Sequence, residues 1–551
     1  MSETRALQRA ARAWRDLDPD PVTRDEVDAL LRDGDPAALA DRFGDRLTFG
    51  TAGLRGALGA GPNRMNRVVV MQTSAGLARF LARRSERPTA VVGYDGRHNS
   101  ARFARDAAEV LTAAGVATTL LPRALPTPVL AFAVRDLGAD AGVMITASHN
   151  PAADNGYKLY LGGPDAGAQL VSPDDAAVLA EIEAVVAAGG LPERSDAVTV
   201  AGDELLERYV VATGRLGRRD GGPADLTWVY TPLHGVGLET VQRVLDAARL
   251  PRPLVVPSQA EPDPDFPTVP FPNPEEPGAL DAALAAARES GAALVLANDP
   301  DADRLAVAVP AGEDRRGVWR RLSGNEVGLL LAWTIAEHAG PVGGTFATSL
   351  VSTPGLARIA DRFGFLFVET LTGFKWISRA PGLTFGFEEA LGYLVDPGTV
   401  RDKDGISALV VVLREALDLT AQGRSLVDRL GDIEAEIGRF DSDQISLRVA
   451  DLADIERILA RLRADPPAEI GGVPVSAVDD LLLGTSGLPR ADVLRFTLAD
   501  GSRLIVRPSG TEPKLKAYLD VSSDAATPEE RRAATDAALE ALRAGTRALL
   551  A

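Results

Sequence analysis

The chain has 551 residues, too many for one hydrophobic core, and its length predicts about three to five domains. It contains no cysteine, which excludes disulfides and thiolate metal sites. Its net charge of −18 disfavours nucleic acid and anionic membranes as partners. We expect a cytoplasmic protein, because the first residues are polar and neither a secretory signal nor a membrane-length apolar run is visible.

The first 205 residues predict a helical segment followed by an α/β domain. Residues 1–41 form the helical N-terminal extension, because Leu7, Ala11 and Trp14 recur at helical spacing. Residues 42–205 form domain I. Its predicted elements are an apolar run at 68–70, a helix through residue 81, strands at 89–92 and 141–145, and a helix at 101–114.

Two further α/β domains are predicted at residues 206–312 and 313–435, and strands that alternate with helices imply parallel sheets. The predicted strands lie at 227–230, 254–256, 293–297, 344–350, 365–368 and 383–387, and a helix lies at 405–419. The segment 257–278 is rich in proline and acidic residues, and predicts an ordered surface loop or disorder.

The last domain, residues 436–551, is a smaller α+β domain. Its predicted strands lie at 493–498, 503–506 and 515–521, with a turn at Asp500 and Gly501. The fold class is therefore α/β: three similar α/β domains plus this C-terminal domain. Each α/β block would donate one loop to a common central cleft.

Ser148 lies in a polar loop, Thr146 to Pro151, that follows the apolar strand at 141–145. Loops at the carboxyl ends of such strands are where α/β proteins place their chemistry. Ser148 is a candidate to carry phosphate, although a serine there is often only a turn former. No Gly-x-Ser-x-Gly sequence surrounds it, so a hydrolase triad is disfavoured.

Three carboxylates alternate after the apolar strand at 293–297: Asp299, Asp301 and Asp303, followed by Arg304. Oxygen ligands at this spacing suit Mg²⁺, which keeps water or phosphate oxygens in its remaining positions. The loop lacks the Gly and Glu of an EF-hand. A solvated acidic turn is the alternative, and the apolar strand that delivers the loop favours metal binding.

Two C-terminal motifs suit the other parts of a phosphorylated ligand. The segment from Arg507 to Lys514 combines a guanidinium, hydroxyls and a glycine, a composition that suits phosphate, unless it is simply a hairpin loop. Glu388 and Glu389 follow a predicted strand and could accept hydrogen bonds from sugar hydroxyls, or could begin a helix.

Lysine is rare in this chain, and all five lysines lie in or beside candidate loops. They are Lys158, Lys375, Lys403, Lys514 and Lys516, among 59 basic residues. Where arginine serves as the general surface cation, a retained lysine indicates a need for a compact ammonium group. We assign function first to Lys158, Lys375 and Lys514. Two glycine-containing loops, residues 50–56 with Arg55 and residues 370–375 with Lys375, add cations.

Together these motifs resemble the α-D-phosphohexomutase superfamily, the phosphoglucomutase/phosphomannomutase enzymes. The resemblance covers residues 42 to the C-terminus, with the motifs in the family's order, and it implies four domains around a central cleft. Ala390 departs from the pattern, because many glucose-handling members have Ser at this position. In this respect the chain resembles the long, phosphoglucomutase-2-like branch, some of whose members prefer pentose phosphates.

The resemblance implies roles for individual residues. The catalytic set is Ser148, His149, Lys158, Arg55 and Arg304. The metal set is phosphorylated Ser148 with Asp299, Asp301 and Asp303. The sugar-binding set is Glu388, Glu389, Thr372, Gly373 and Lys375. The set for the distal phosphate is Arg507, Ser509, Gly510, Thr511 and Lys514.

The implied reaction is a two-step phosphoryl exchange on a small sugar phosphate. Phosphate leaves Ser148 for the sugar, and the opposite phosphate of the resulting bisphosphate returns to Ser148. The implied cofactors are Mg²⁺ and a sugar bisphosphate of the glucose 1,6-bisphosphate type. His149 and Lys158 are both candidates for the general base. The enzyme would be a monomer or dimer.

Several substrates and rival functions stay open. Glucose 1-phosphate and 6-phosphate are the first substrate pair, with mannose phosphates second. A phosphopentomutase acting on ribose or deoxyribose phosphates is the alternative. A sugar-phosphate phosphatase and a non-catalytic sugar-phosphate binder are more distant rivals, the second disfavoured because the serine and the aspartates are all present.

Overall fold

The computed structural model describes residues 2–48, 53–219, 225–312, 314, 316–339, 343–449, 452–484, 487–509 and 514–550. The chain divides into two compact units. The first comprises Met1–Arg321 and Gly392–Asp418, and the second comprises Leu322–Leu391 and Leu419–Ala551. In the described parts of the chain, no helix combines the length and the apolar composition needed to cross a membrane.

The predicted N-terminal helical segment consists of three helices. Asp20 and Asp35 accept hydrogen bonds from the first backbone N–H groups of α2 and α3, and each is followed by a proline at the first helical position. These caps break the helical segment. The elements are α1 (Ser2–Leu17), α2 (Pro21–Asp33) and α3 (Pro36–Phe43).

Domain I contains a mixed sheet with helices. Its elements are β1 (Leu54–Ala57), α4 (Arg67–Ala82), β2 (Thr89–Tyr94), α5 (Ser100–Ala113), β3 (Ala117–Leu120), α6 (Thr127–Asp136), β4 (Ala141–Ile145), β5 (Asp154–Leu161), β6 (Ala168–Gln169), α7 (Asp174–Ala188), β7 (Thr199–Val200) and α8 (Asp203–Gly214). The sheet order is β1-β5-β4-β2-β3-β7, with β6 beside β5. The apolar run at 68–70 belongs to the first turn of α4.

The second sheet has the order β12-β11-β10-β8-β9. The elements of this part of the chain are β8 (Trp228–Thr231), α9 (Gly237–Ala248), β9 (Leu254–Val255), α10 (Asp281–Ser290), β10 (Leu294–Asn298), β11 (Leu305–Pro310) and β12 (Trp319–Arg321). The segment 257–278 is ordered, and it has buried anchors at Gln259, Phe266 and Val269.

The prediction of purely parallel sheets is wrong at the two loops that carry the chemistry. β4 runs antiparallel to β5, and β10 runs antiparallel to β11. A parallel crossover needs a dozen or more residues, and the connections here, 146–153 and 299–304, are too short. Each candidate loop is therefore held at both ends by neighbouring strands of one sheet, while β2 with β4 and β8 with β10 pair in parallel as predicted.

The third block supplies most of the helices of the second unit, and its strands β14, β13 and β15 pair in parallel in that order. The elements are α11 (Gly324–Ala339), β13 (Thr345–Ser349), α12 (Gly355–Phe363), β14 (Leu366–Thr370), α13 (Phe374–Ile377), β15 (Leu383–Glu388), β16 (Gly392–Leu394), α14 (Gly405–Ala421) and α15 (Leu426–Ile437).

The C-terminal domain is an antiparallel sheet covered by helices, as its alternating pattern predicts. The sheet order is β17-β22-β21-β20-β19-β18. The elements are β17 (Arg439–Arg448), α16 (Leu452–Ala464), β18 (Glu469–Ile470), β19 (Val473–Asp480), β20 (Leu494–Leu498), β21 (Arg503–Pro508), β22 (Lys514–Ser523) and α17 (Pro528–Leu550). The turn at Asp500 and Gly501 lies between β20 and β21, with Gly501 at φ 86°.

Two apolar cores matter for the site. In the first unit, Trp14, Val27 and Leu39 of the N-terminal helices belong to the same buried cluster as Val143 and Ile145 of β4. The extension is therefore part of the domain I core. In the second unit, a smaller buried cluster joins the third sheet to the C-terminal sheet; its members include Leu350, Leu371, Ile505 and Tyr518.

Candidate active site

Ser148 occupies a left-handed backbone conformation in the loop between β4 and β5, with φ 54°. A non-glycine residue with positive φ is uncommon and is frequent at functional sites. The backbone N–H of Ser148 donates to Thr146 Oγ1 at 2.9 Å. The loop therefore presents the Ser148 side chain in a conformation that its surroundings must stabilise.

The Ser148 hydroxyl faces the acidic loop of the second sheet. Its Oγ donates to Asp299 Oδ2 at 2.6 Å and lies 3.2 Å from His149 Nδ1. Ser148 is buried, with 2% of its surface exposed. The structure thus brings the predicted nucleophile, its neighbouring histidine and one predicted metal ligand into direct contact.

Asp299, Asp301 and Asp303 form a buried carboxylate cluster. One oxygen from each lies within 4.8 Å of the others. The cluster lies in the tight loop between β10 and β11, where Ala302 has a φ of 56°. The backbone N–H of Arg304 donates to Asp299 Oδ1 at 2.9 Å, and this hydrogen bond joins the end of the loop to its beginning.

The second oxygens of Asp301 and Asp303 are engaged by cations and hydroxyls. Lys158 Nζ donates to Asp301 Oδ2 at 2.8 Å and to Asp303 Oδ2 at 2.9 Å. Thr127 Oγ1 donates to Asp301 Oδ2 at 2.7 Å. By contrast, Oδ1 of Asp301 and Oδ1 of Asp303 are buried and have no hydrogen-bond partner within the described part of the chain.

These unpartnered oxygens fit a hard divalent cation. Buried carboxylate oxygens without hydrogen bonds are rare in folded proteins and require an explanation. Three clustered aspartates offer the oxygen ligands that Mg²⁺ prefers, and leave positions for water or phosphate oxygens. Asp299, Asp301 and Asp303 could therefore hold Mg²⁺ beside Ser148.

The charges in the site favour a neutral His149 and a protonated Lys158. Burial, together with the charges of Arg304 and Arg55, holds the pKa of His149 well below its ordinary value. Burial alone would lower the pKa of Lys158, but the carboxylates of Asp301 and Asp303 outweigh it and raise that pKa. The two proton-transfer candidates thus differ in charge.

Arg55 approaches the loop of Ser148 from the edge strand β1. Its Nη1 donates to Asn150 Oδ1 at 2.9 Å. The strand reaches this place because Gly53 has φ 91°, and a Cβ there would lie 2.4 Å from the Tyr157 carbonyl oxygen. Residues 50–52 of the predicted glycine-containing loop lie outside the described residues.

Arg97 and Thr127 contact these loops although the sequence patterns did not single them out. Thr127 holds Asp301, as described above. Arg97 donates to the carbonyl oxygens of Ser148 and Asn150 at 2.6 and 2.5 Å. Neither residue belongs to a recognisable motif, and each lies in sequence far from the residue it holds, so only the fold brings them together.

Lys403 also reaches the carboxylate cluster. Its Nζ lies 3.3 Å from Asp303 Oδ2 and 3.6 Å from Asp402 Oδ1. The scarcity of lysine singled out this residue, but we did not assign it to the site. Burial and Asp301 would raise the pKa of Asp303, yet Lys158 and Lys403 outweigh them and hold it below its usual range.

In the second unit, Glu388 and Glu389 mark the end of β15, as predicted. A turn follows them, so the alternative of a helix beginning there is wrong. Ser352 Oγ donates to Glu389 Oε2 at 2.9 Å, and Ser349 Oγ lies 3.2 Å from the same oxygen. Two hydroxyls on the neighbouring strand and its loop thus orient the Glu389 carboxylate.

Lys375 is buried in the short helix α13, with Nζ 5.9 Å from the centre of the Trp376 ring. Thr372 and Gly373 precede this helix, and Gly373 has φ 107°. Positive φ here explains why the predicted sugar-binding segment contains a glycine at this position.

The predicted phosphate segment joins β21 to β22. Arg507 pairs with Lys516 one residue before the paired part of β21 ends at Pro508, and the backbone N–H of Ser509 donates to the Lys514 carbonyl oxygen at 2.7 Å. Gly510 and Thr511 lie outside the described residues. Tyr518 was missed: it is buried, burial and the charge of Glu389 raise its pKa, and Arg507 opposes this.

Comparison with known proteins agrees with this arrangement. Four family models match along the chain, described as phosphoglucomutase/phosphomannomutase alpha/beta/alpha domains I, II and III and C-terminal domain. The matched residues are 46–187, 211–312, 323–435 and 445–537.

Two relatives and one solved structure match this chain over most of its length and most of their own. A protein from Haemophilus influenzae named a probable phosphomannomutase is 51% identical, over 83% of this chain and 93% of its own. The phosphopentomutase of Mus musculus is 36% identical, over 94% and 90%. A solved structure of a phosphoglucomutase/phosphomannomutase family protein from Burkholderia thailandensis has a TM-score of 0.68 at 20% identity, covering 90% and 97%, and shows the shared fold.

The fold prediction is therefore confirmed as a four-domain α/β architecture, and the chain is an enzyme of the phosphosugar mutase class. The carboxylate cluster, the serine beside it and the four matched domains lead to one conclusion. This chain belongs to the phosphoglucomutase/phosphomannomutase family.

Proposed function

We propose that the enzyme interconverts sugar 1-phosphates and 6-phosphates through a phosphorylated Ser148, with glucose phosphates as first substrates and mannose phosphates as second. One observation carries the proposal. Ser148 Oγ lies 2.6 Å from Asp299 Oδ2, in a carboxylate cluster with two unpartnered buried oxygens. A hydroxyl beside three clustered carboxylates that could hold a divalent cation suits an acceptor and donor of phosphoryl groups.

The chain's own residues would divide the work of phosphoryl transfer. Asp299, Asp301 and Asp303 would hold Mg²⁺, which neutralises charge on a phosphoryl group. Arg55, Arg304 and Lys158 are the cations that would bind the phosphoryl oxygens. Lys158 also binds one oxygen of Asp301 and one of Asp303, and so helps to orient both carboxylates.

His149 is the favoured group for proton exchange with the serine. The Ser148 hydroxyl directs its one proton to Asp299 Oδ2, and rotation of the hydroxyl can direct it instead to His149 Nδ1, which lies 3.2 Å from Ser148 Oγ. Lys158 remains the candidate on the opposite strand, β5. The pH dependence of the single-turnover rate in the His149→Gln and Lys158→Met variants separates the two, because only loss of the acting group removes its titration from the pH profile.

We assign substrate binding to residues of the second unit. Glu388 and Glu389 would accept hydrogen bonds from sugar hydroxyls, and Lys375, Thr372 and Gly373 would bind beside them. Arg507, Ser509 and Lys514, with Gly510 and Thr511, would bind the phosphate that is not being transferred. The oriented carboxylate of Glu389 supports the role of the glutamate segment.

A phosphopentomutase is the second candidate function. Ala390 removes a hydroxyl beside the two glutamates, and a mouse relative that matches most of this chain is named a phosphopentomutase. A pentose 5-phosphate is one carbon shorter than a hexose 6-phosphate. Its 5-phosphate would bind the same cations that we assign to the hexose phosphates. We infer that the glutamate segment, where Ala390 stands, sets the choice between the two sugars.

A coupled assay tests both functions. Glucose 1-phosphate, mannose 1-phosphate and ribose 1-phosphate are compared, with Mg²⁺ and glucose 1,6-bisphosphate as activator. We expect isomerised sugar phosphate and little free phosphate; release of phosphate without isomerisation would show a phosphatase. Ser148→Ala should abolish turnover, while Ser290→Ala, a change at an exposed helix end, should not. Full activity of Ser148→Ala would exclude the proposed nucleophile.

A further inference from the structure

Arg97 holds the backbone of the Ser148 loop through a set of carbonyl oxygens. Its Nη2 donates to Ser148 O at 2.6 Å and Asn150 O at 2.5 Å. Its Nη1 donates to Pro151 O at 2.8 Å and Asp154 O at 3.2 Å. The contacts span the whole connection between β4 and β5, so one side chain fixes the course of the loop.

The guanidinium is buried, with 4% of the residue exposed, and its placement is itself constrained. Arg97 Nε lies 3.4 Å from Asp95 Oδ2, and Asp95 Oδ1 accepts from the Arg97 backbone N–H and from Ser100 Oγ. A guanidinium presents five donors in a planar fork, whereas an ammonium presents three around one atom. The two terminal nitrogens of the fork together bind four carbonyl oxygens, which a single ammonium with three donors cannot do.

An aromatic ring covers the guanidinium. Arg97 Cζ lies 4.9 Å from the centre of the Phe266 ring, which belongs to the ordered segment 257–278. That segment is anchored by Gln259, whose side chain bonds Thr231 and Thr268. The same segment places Phe271 with its ring centre 6.1 Å from that of His149. The segment thus contacts the Ser148 loop at two places, through Arg97 and at His149.

The backbone conformation of Ser148 explains why the loop needs these contacts. Ser148 has φ 54°, a backbone conformation that residues with a side chain rarely adopt. In this conformation its hydroxyl lies at hydrogen-bond distance from Asp299. Such a conformation persists only when its surroundings over-determine it. The carbonyl oxygen of Ser148 itself is one of the four carbonyl oxygens that Arg97 binds.

We propose that Arg97, held by Asp95 and covered by Phe266, is a positioning residue that aims the Ser148 hydroxyl for phosphoryl transfer. The proposal rests on the proposed function of Ser148 and deepens it. Arg97 contacts the loop only through backbone oxygens, so it acts through Ser148 and touches no substrate in this account. Loss of the fork should therefore slow transfer at Ser148 and leave binding of sugar phosphate unchanged.

Arg97→Lys is the principal test, with Arg414→Lys as the matched control. Arg414 is a half-buried arginine that donates to the Leu216 carbonyl oxygen. The measurement is the single-turnover rate at which glucose 1,6-bisphosphate phosphorylates the dephosphorylated enzyme, followed by intact mass in quenched samples. We expect a loss of about 100-fold for Arg97→Lys, since misplacement by about 1 Å costs this much. The control should stay within about twofold.

The readout separates positioning from a merely structural role. A structural role would reduce the fraction of enzyme that can be phosphorylated, and would leave the rate at the remaining sites unchanged. Positioning lowers the rate itself, with KM for glucose 1-phosphate within about threefold of wild type. An unchanged rate at phosphorylatable sites in Arg97→Lys would overturn the proposal.

Phe266→Leu tests the positioning role of Arg97 if Arg97→Lys does not fold. Leucine keeps apolar cover but loses the ring face, and we expect a rate loss of about three- to tenfold, the size of one cation–π contact. An unchanged rate would again overturn the proposal. If wild-type enzyme never acquires phosphate on Ser148, the proposed function itself fails, and this outcome is distinct from equal rates in wild type and variants.

Discussion

The three carboxylates of the aspartate cluster use their oxygens differently. Asp299 accepts from the Arg304 backbone through Oδ1 and from Ser148 through Oδ2. Asp301 and Asp303 direct Oδ2 to Lys158, and their Oδ1 atoms accept no hydrogen bond within the described residues; Arg304 Nε lies 3.8 Å from Asp303 Oδ1. Burying an ionised oxygen without a hydrogen bond is costly unless a charge compensates it. We infer that these two oxygens are kept for a bound cation.

Asp301→Asn tests this at the level of one residue. The substitution replaces a charged ligand by a neutral one of the same shape, and we expect the affinity for Mg²⁺ to fall by about 10- to 100-fold. Isothermal titration with MgCl₂ measures it. Asp281→Asn, an exposed acid at the start of α10, is the matched control. Equal Mg²⁺ affinities in all three proteins would contradict the metal assignment.

Asp404 gives a prediction about pH and stability. Its carboxylate accepts from Tyr209 OH and from the backbone N–H groups of Ile406 and Ser407, and burial raises its pKa to about 6. A raised carboxyl pKa means that the folded state binds the proton more tightly than the unfolded state. The stability from this proton is complete below about pH 4 and is lost as pH rises through about 6.

Asp404→Asn removes that dependence and keeps the helix-capping oxygen. Relative to wild type, the variant should gain stability between pH 4 and pH 7, by an amount on the order of 1–3 kcal/mol. Urea midpoints at both pH values measure it. Asp428→Asn, in the capping box of α15, controls for substituting a capping carboxylate. A difference between wild type and Asp404→Asn that stays constant with pH would be the contrary result.

At the scale of elements, the two chemical loops depend on the same structural device. A buried strand enters each loop and an antiparallel neighbour receives it, as with β4 and β5 or β10 and β11. Both ends of each loop are thereby fixed within one sheet. This explains how Ser148 and the aspartates can hold left-handed and tightly turned conformations without a long ordered connection.

The N-terminal helices are the second element that matters. Trp14 is buried in the domain I core and meets Phe43 edge to face, with ring centres 6.4 Å apart. Trp14→Ala should lower the free energy of unfolding by about 3–5 kcal/mol. Urea unfolding followed by circular dichroism measures it, with the exposed Val22→Ala expected within about 0.5 kcal/mol of wild type. Equal stability of Trp14→Ala would show that the extension does not contribute to the core.

Sequence patterns predicted the strands and both loops because their signals are local. Five apolar residues before Ser148, and alternating aspartates after another apolar run, need only neighbouring positions to be recognised. The antiparallel return of β5 and β11 was missed, because pairing direction depends on connection length and on distant partners. The buried anchors of 257–278 were missed for the same reason: Phe266 finds Arg97 only in the fold.

At the scale of the whole molecule, charge explains which site residues could be predicted. The chain carries −18 overall, yet Lys158, Lys403 and Arg55 lie in or beside the loops of the candidate site. Lysine is rare here, so each lysine carried information. Arginine is the common cation, so Arg97 was indistinguishable from surface arginines until its buried contacts were visible.

The central claim is that Ser148 accepts and returns a phosphoryl group. The most direct measurement is intact-mass spectrometry of wild-type enzyme after incubation with glucose 1,6-bisphosphate and Mg²⁺, followed by peptide mapping. The account predicts one phosphoryl adduct on Ser148, which disappears when excess glucose 1-phosphate is added. Active enzyme that never carries the adduct, or carries it on another residue, would contradict the account.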